Sequence, residues 1–169
     1  HEGRVPEGLP AQLVTDTGCP NLSLLPASTA LATLERKMVG VGGMGLIISR
    51  SLAQLWDDFD YVILDNTPSL GVLMVNALAA AQHLIIPVQT EYLAIKGLER
   101  MLHTLQMIMR SQKNQLSYTI VPTLYDRRTQ ASVKSLNMLR KTYTESLWRF
   151  AIPVDTKFRD ASQRGLIPS

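Results

Sequence analysis

The sequence predicts an α/β fold built on a mainly parallel sheet. Three observations predict it. Short apolar, β-rich runs recur, such as Tyr61-Val62-Ile63-Leu64 and the HLIIPV of residues 83–88, and they read as strands buried on both faces. Segments with helical spacing separate these runs. No β-hairpin signal joins neighbouring runs.

Taken in order, residues 1–21 read as loop, with Pro6, Pro10, Gly18 and Pro20. Residues 22–26, LSLLP, read as a short strand, and Ala27-Ser28-Thr29 offers a helix cap. Residues 30–39 have helical spacing through Leu31, Leu34 and Met38. The GVGGMG of residues 40–45 matches GxGxxG but follows a charged helix, whereas a dinucleotide fingerprint follows a strand. It reads as a helix–helix connection. Residues 46–56 form the next helix, and Asp57, Asp58 and Asp60 lie in a solvated turn before residues 61–64.

Asp65 closes that run, followed by the loop formers Asn66, Thr67, Pro68, Ser69 and Gly71. A carboxylate at the carboxyl end of a buried parallel strand stands where open α/β sheets bind ligands. Two readings stay open there. Asp65 orients a nucleotide-associated Mg²⁺ or its waters, or it caps the following helix. Residues 72–81 are an alanine-rich helix, and Asn76 within it is either a ligand- or subunit-facing group or a satisfied core polar. His83 reads as an edge residue rather than a metal ligand, because no Cys or His stands at metal spacing from it. Residues 95–110 are an amphipathic helix, 116–121 a strand, 124–129 a polar loop, 131–143 a helix and 148–152 a last short strand. A basic helical turn with Lys157, Arg159 and Arg164 follows.

The 169 residues, 46% of them hydrophobic, suit one α/β domain. The net charge of +3 is mild, but from 127 to 164 basic residues clearly outnumber acidic ones. Such a surface can hold a phosphate backbone without reading bases, or be an ordinary solvated face. A single cysteine, Cys19, excludes an internal disulfide framework and fits a reducing compartment. No apolar run is long enough for a membrane helix, and the first residues have no secretory signal pattern.

Five segments together resemble the ParA/Soj type of partition ATPase, within the wider group that includes the MinD-like positioning ATPases. They are NLSLLPAS (21–28), DFDYVILDNTPSLGVLMVNAL (58–78), LIIPVQTEYLAIKGL (84–98), VPTLYDRRT (121–129) and IPVDTKFRDASQRG (152–165). The resemblance implies a three-layer fold of the deviant-Walker P-loop type and a switch driven by ATP and Mg²⁺. It implies an ATP-bound homodimer, nonspecific binding to duplex DNA, and a ParB-like or other partner that stimulates hydrolysis. It further implies a cytoplasmic, nucleoid-associated protein with no stable membrane insertion. By the same resemblance Asp65 is the Walker B aspartate, acting on Mg²⁺ through water. Thr67, Pro68 and Gly71 belong to the second switch segment, with Thr67 where a second proline is usual. Thr123 and Pro153, Val154 and Asp155 lie on the adenine pocket, and Arg128 and Lys157 are DNA-holding positions.

The family's opening strand, its KGGxGKT/S-type phosphate loop and its final helix have no counterpart in these 169 residues. The chain is expected to be part of a longer ATPase domain, incomplete at the N-terminus, and to be inactive alone. No complete catalytic set is assigned within it. The alternative is an interaction or scaffold domain that kept the fold and lost nucleotide chemistry. An iron–sulfur reductase of the same architecture fits poorly, since one cysteine cannot supply a bridging cluster.

Overall fold

The computed structural model describes residues 4–38, 44–67, 71–111 and 116–165, and the chain divides into two units, His1–Gln82 and His83–Ser169. In the first unit, the stretch read as loop contains helix α1, Leu9–Leu13, and strand β1, Thr15–Asp16. Gly8 precedes α1 at a φ of 71°, a left-handed conformation that glycine adopts without a Cβ clash. Strand β1 pairs antiparallel with β2, Ser23–Leu24, within the predicted strand at 22–26. The turn between them is tied by Asp16 Oδ1, which accepts from Gly18 N, and by the Thr17 hydroxyl, which donates to Leu22 O.

Helix α2, Ala30–Met38, begins where Ser28 Oγ accepts from Ala30 N, the cap expected from the sequence. Most of the GVGGMG segment lies outside the described residues. A 3-10 turn at Met44–Leu46 then leads into α3, Ile47–Ala53, which is followed by turns rather than by helix as far as Trp56. Helix α4, Val72–Ala80, packs on α3 and on the 3-10 turn.

Asn76 governs that packing. It is only 3% exposed, at the centre of α4. Its Oδ1 accepts from Ile47 N at 2.9 Å and Ile48 N at 3.3 Å, and its Nδ2 donates to Val72 O at 2.9 Å. The first turn of a helix has backbone N–H groups with no intrahelical partner. At α3 the residue at the cap position, Leu46, gives no side-chain hydrogen bond, and Asn76 supplies the acceptor from a different helix. Asn76 is thus a satisfied core polar.

Residues 61–64 correct the sequence reading. They pair with no described strand, and Tyr61 and Ile63 are 90% and 92% exposed. An apolar β-rich run becomes a buried strand only where neighbouring strands supply a ladder and other elements cover its faces. Among the described residues none does so here.

In the second unit, β3, His83–Gln89, and β4, Ser117–Thr123, run parallel, from His83 opposite Ser117 to Gln89 opposite Thr123. Helix α5, Tyr92–Ser111, is the crossover that a parallel pair requires. Its buried Ile95, Leu98, Leu102 and Leu105 form one stripe at helical spacing. Ile86 and Val88 of β3 face the same core, and so do Ile120 and Pro122 of β4, opposite them in register. Helix α6, Gln130–Thr142, adds Leu136 and Leu139. The expectation of two buried faces for β3 is corrected as well. Ile85 is 64% exposed, because α5 and α6 supply cover on one side within this unit. His83 is the exposed edge residue expected, its ring nitrogens bonded to the hydroxyls of Ser117 and Thr119.

The predicted last strand at 148–152 is not continuous. Single parallel bridges join Ile120 to Leu147 and Tyr125 to Pro153, and between them Trp148 N donates to Ile120 O and Ile152 N to Pro122 O. The segment follows the free edge of β4 without forming a regular ladder. Helix α7, Thr156–Arg164, ends the described chain.

The cap supplied by Asn76 gives a direct test. Asn76→Ala leaves the first N–H groups of α3 without their acceptor and should lower stability by about 2 kcal/mol. Urea unfolding followed by circular dichroism checks this, and a loss below about 0.5 kcal/mol, the usual range for an indifferent site, would contradict the capping role.

Candidate functional site

In the first unit the candidate residues are Asp65, Thr67 and Gly71, while Pro68 lies outside the described residues. Asp65 and Thr67 are exposed, in the stretch 61–67, which has no regular secondary structure. Of the two local readings of Asp65, capping fails. The N-cap of α4 is Gly71, in extended conformation, with no side-chain cap. Asp65 lies six positions earlier in the chain and is not the cap. Gly71 is also where Glu35 of α2 approaches α4, since a Cβ there would collide with the Glu35 carboxylate. Among the described residues no three His, Cys, Asp or Glu side chains gather to hold a metal. A lone exposed carboxylate suits Mg²⁺, which keeps several waters and takes one or two protein carboxylates beside phosphate oxygens.

In the second unit the remaining candidates come together at the carboxyl end of the parallel pair. Thr123 is the last residue of β4, and its carbonyl accepts from Thr90 N at 3.1 Å. Pro153 bridges Tyr125, and Val154 N donates to Tyr125 O at 3.1 Å. Thr123 and residues 153–155 therefore flank one loop, at the end of the strands where ligands bind in open α/β sheets. Val154 is 48% exposed and Leu124 50%, an apolar lip. Asp155 has a further structural task that sequence reading did not assign. Its Oδ1 accepts from Lys157 N at 2.9 Å and caps α7.

Sequence reading also missed what fixes residues 124–129. Thr90, 1% exposed at the end of β3, shares a 2.5 Å hydrogen bond with Ser132 Oγ of α6 and donates to Leu124 O. Ser132 Oγ in turn accepts from Asp126 N at 3.1 Å, and Thr129 caps α6 by accepting from Ser132 N. Leu124 sits at a φ of 51°, an unfavourable left-handed conformation for a residue with a Cβ. The available signal is a hydroxyl residue directly after an apolar strand, which must find a partner if it is buried.

The two basic candidates stand at helix starts. Lys157 is exposed in the first turn of α7. Arg128 has an 81% exposed side chain and forks onto Asp126. Its Nε meets Oδ1 and its Nη2 meets Oδ2, both at 2.9 Å, while its backbone N also donates to Oδ1. These bonds hold the Asp126 carboxyl down at about 2 and raise the Arg128 guanidinium.

Comparison with known proteins gives the family and the fold type. The AAA domain family matches residues 8–118. The sporulation initiation inhibitor protein Soj of Bacillus subtilis is 29% identical over 154 residues, 90% of this chain and 61% of that protein. The chromosome-partitioning ATPase Soj of Treponema pallidum is 32% identical over 147 residues, 86% and 58% of the two. The chain thus spans about 60% of these relatives. Among solved structures, cobyrinic acid a,c-diamide synthase from Mycobacterium smegmatis with bound ADP and magnesium is 34% identical, with a TM-score of 0.77 over 92% of this chain and 66% of that one. The apo McdA structure from Cyanothece is 19% identical with a TM-score of 0.82, covering 94% and 65%, a likeness of fold. The fold is of the α/β P-loop NTPase type. The chain belongs to the AAA domain family and, within it, to the ParA/Soj/MinD-like partition ATPases.

Proposed function

We propose that this chain is part of a partition or positioning ATPase. In this reading the full-length protein dimerises when it binds ATP and holds duplex DNA without reading sequence. It hydrolyses ATP to ADP and phosphate under a ParB-like or other stimulating partner, and so segregates or positions a cargo. The observation that supports the nucleotide part of the reading is Asp65, an exposed carboxylate that does not cap α4, and the one that carries the DNA part is the excess of basic residues from 127 to 164, within a chain of this family. The named relatives support the cargo class, since several are chromosome-partitioning or cell-division proteins. Among the described residues no helix is long and apolar enough to cross a membrane. A cytoplasmic, nucleoid-associated location is part of the same proposal.

The chain's own residues take separate tasks. Asp65 orients the waters of a nucleotide-bound Mg²⁺, and Thr67, Pro68 and Gly71 respond to the terminal phosphate. Thr123 and residues 153–155 receive the base beside the lip of Leu124 and Val154. Mg²⁺, when bound with ATP, supplies charge neutralisation at the phosphates. Arg128 and Lys157 contact DNA phosphates, and the N-termini of α6 and α7 beside them favour anions.

Two measurements test the reading in the full-length protein. Asp65→Ala should weaken Mg-dependent binding of a nonhydrolysable ATP analogue by about 10–100-fold, the usual cost of losing a group that orients a metal's ligands. Stability should stay within about 0.5 kcal/mol, because an exposed side chain leaves no cavity. Calorimetric titration and thermal unfolding read the two quantities. Unchanged affinity, hydrolysis and dimerisation would favour the scaffold alternative.

The second measurement is duplex binding by the ATP-locked protein across a salt series. Lys157→Ala should flatten the log–log salt slope by about 0.9, with equal loss on unrelated duplexes. The Arg128→Ala, Lys157→Ala double variant should lose more. If the double variant binds like the parent at every salt concentration, the DNA surface lies elsewhere.

A further inference from the structure

Arg128 faces solvent in the loop at 124–129, yet its charge is already matched. Asp126 grips the guanidinium in the two-point fork with which arginine also binds phosphate. A phosphate oxygen and the Asp126 carboxylate would therefore compete for the same N–H groups.

The two partners are not equally free. The Asp126 side chain is 23% exposed, against 81% for Arg128. The Asp126 backbone is anchored through its N–H to Ser132 Oγ, which is tied to buried Thr90. Its carbonyl accepts from Thr129 N and from the Thr129 hydroxyl. The arginine is thus the partner that can swing away. When it leaves, Asp126 Oδ1 keeps the N–H of Arg128 itself, and exposure leaves room for water at the other oxygen. Opening the pair strands no buried charge, and an exposed ion pair is weak enough for a phosphate to displace.

We propose that Asp126 is an intramolecular stand-in for phosphate, which masks Arg128 and sets how tightly this loop takes duplex DNA. The inference rests on the DNA-binding reading above and adds to it a residue that restrains binding. Asp126 keeps Arg128 aligned and lowers the net positive charge of the free surface. Binding then exchanges one carboxylate for one phosphate instead of adding a new ion pair. The loop's affinity is tuned down without removing its cation, which favours a protein that releases DNA readily.

Asp126→Asn separates the mask from the loop. The asparagine oxygen still accepts from Arg128 N, so the turn is retained, while the negative charge and one arm of the fork are lost. The test uses the full-length, ATP-locked protein and two unrelated duplexes across a salt series, with Asp126→Asn, Arg128→Ala and the combined variant. Thermal unfolding of each variant monitors the fold. Asp126→Asn should bind both duplexes about 2–5-fold tighter at low salt, with a slope steeper by nearly 1. The gain should vanish in the Arg128→Ala background, since a mask needs something to cover. An equal gain in both backgrounds would mean a general field effect and overturn the proposal. If Asp126→Asn changes nothing while Arg128→Ala weakens binding, the mask is wrong and DNA binding stands. If neither Arg128→Ala nor Lys157→Ala weakens binding, the DNA reading fails and the mask with it.

Discussion

A buried polar atom without a partner costs about 1–3 kcal/mol, and this constraint fixes the start of α3 in the first unit and the loop at 124–129 in the second. In the first unit, Asn76 is buried in α4 and satisfies its own amide by capping α3. In the second, Thr90 and Ser132 are buried and satisfy each other, and the same atoms hold Leu124 and Asp126. No buried side-chain nitrogen or oxygen among the described residues lacks a partner. The apolar core brings the elements together, and these few hydrogen bonds decide their registration. A loop that must present Arg128 at a set position needs such anchors, because apolar contact is not directional.

Much of the architecture is legible in the sequence. The 3.6-residue spacing of α2, α5 and α6 locates them to within a few residues, and the apolar runs locate β3 and β4. Elsewhere, the information is not local. Strand β1 has two residues, too few for any periodicity to appear. Residues 61–64 have the composition of a strand, but strand formation depends on neighbours, and composition cannot report them. The apolar character of Ile85 reads the same whether its face is covered or open. At the candidate site, local pattern singles out Asp65 at the end of an apolar run, whereas Thr123 and residues 153–155 follow only from the family resemblance. The double duty of Asp155 was not legible, nor was the grip of Asp126 on Arg128. A two-residue spacing between acid and base says nothing of a fork until the turn is known.

Fold likeness alone leaves the activity open. A chain 34% identical to this one carries the name of a diamide synthase, while relatives of similar identity carry the names of partition proteins. One scaffold hosts several chemistries, and a site must choose between them. Both chemistries suit a nucleotide and Mg²⁺, so Asp65 does not discriminate. The discriminating feature is the charge distribution outside the nucleotide site. A basic stretch from 127 to 164 would suit a polyanion, as the proposed DNA reading requires, more than amidation of a small molecule.

That charge distribution also limits what kind of DNA binding is possible. The loop at 124–129 is held by backbone and hydroxyl contacts to the body of its unit, so it cannot reach far into a groove. Lys157 lies in the first turn of α7, whose N-cap is Asp155. In the proposed reading both arrangements would present charge to phosphates rather than read bases. Affinity from such contacts is set by how many cations are free, and therefore by Asp126 as much as by Arg128. Under the proposed DNA reading, such contacts would give weak, sequence-blind binding. It is what a positioning protein requires, since it must leave one stretch of DNA to find another.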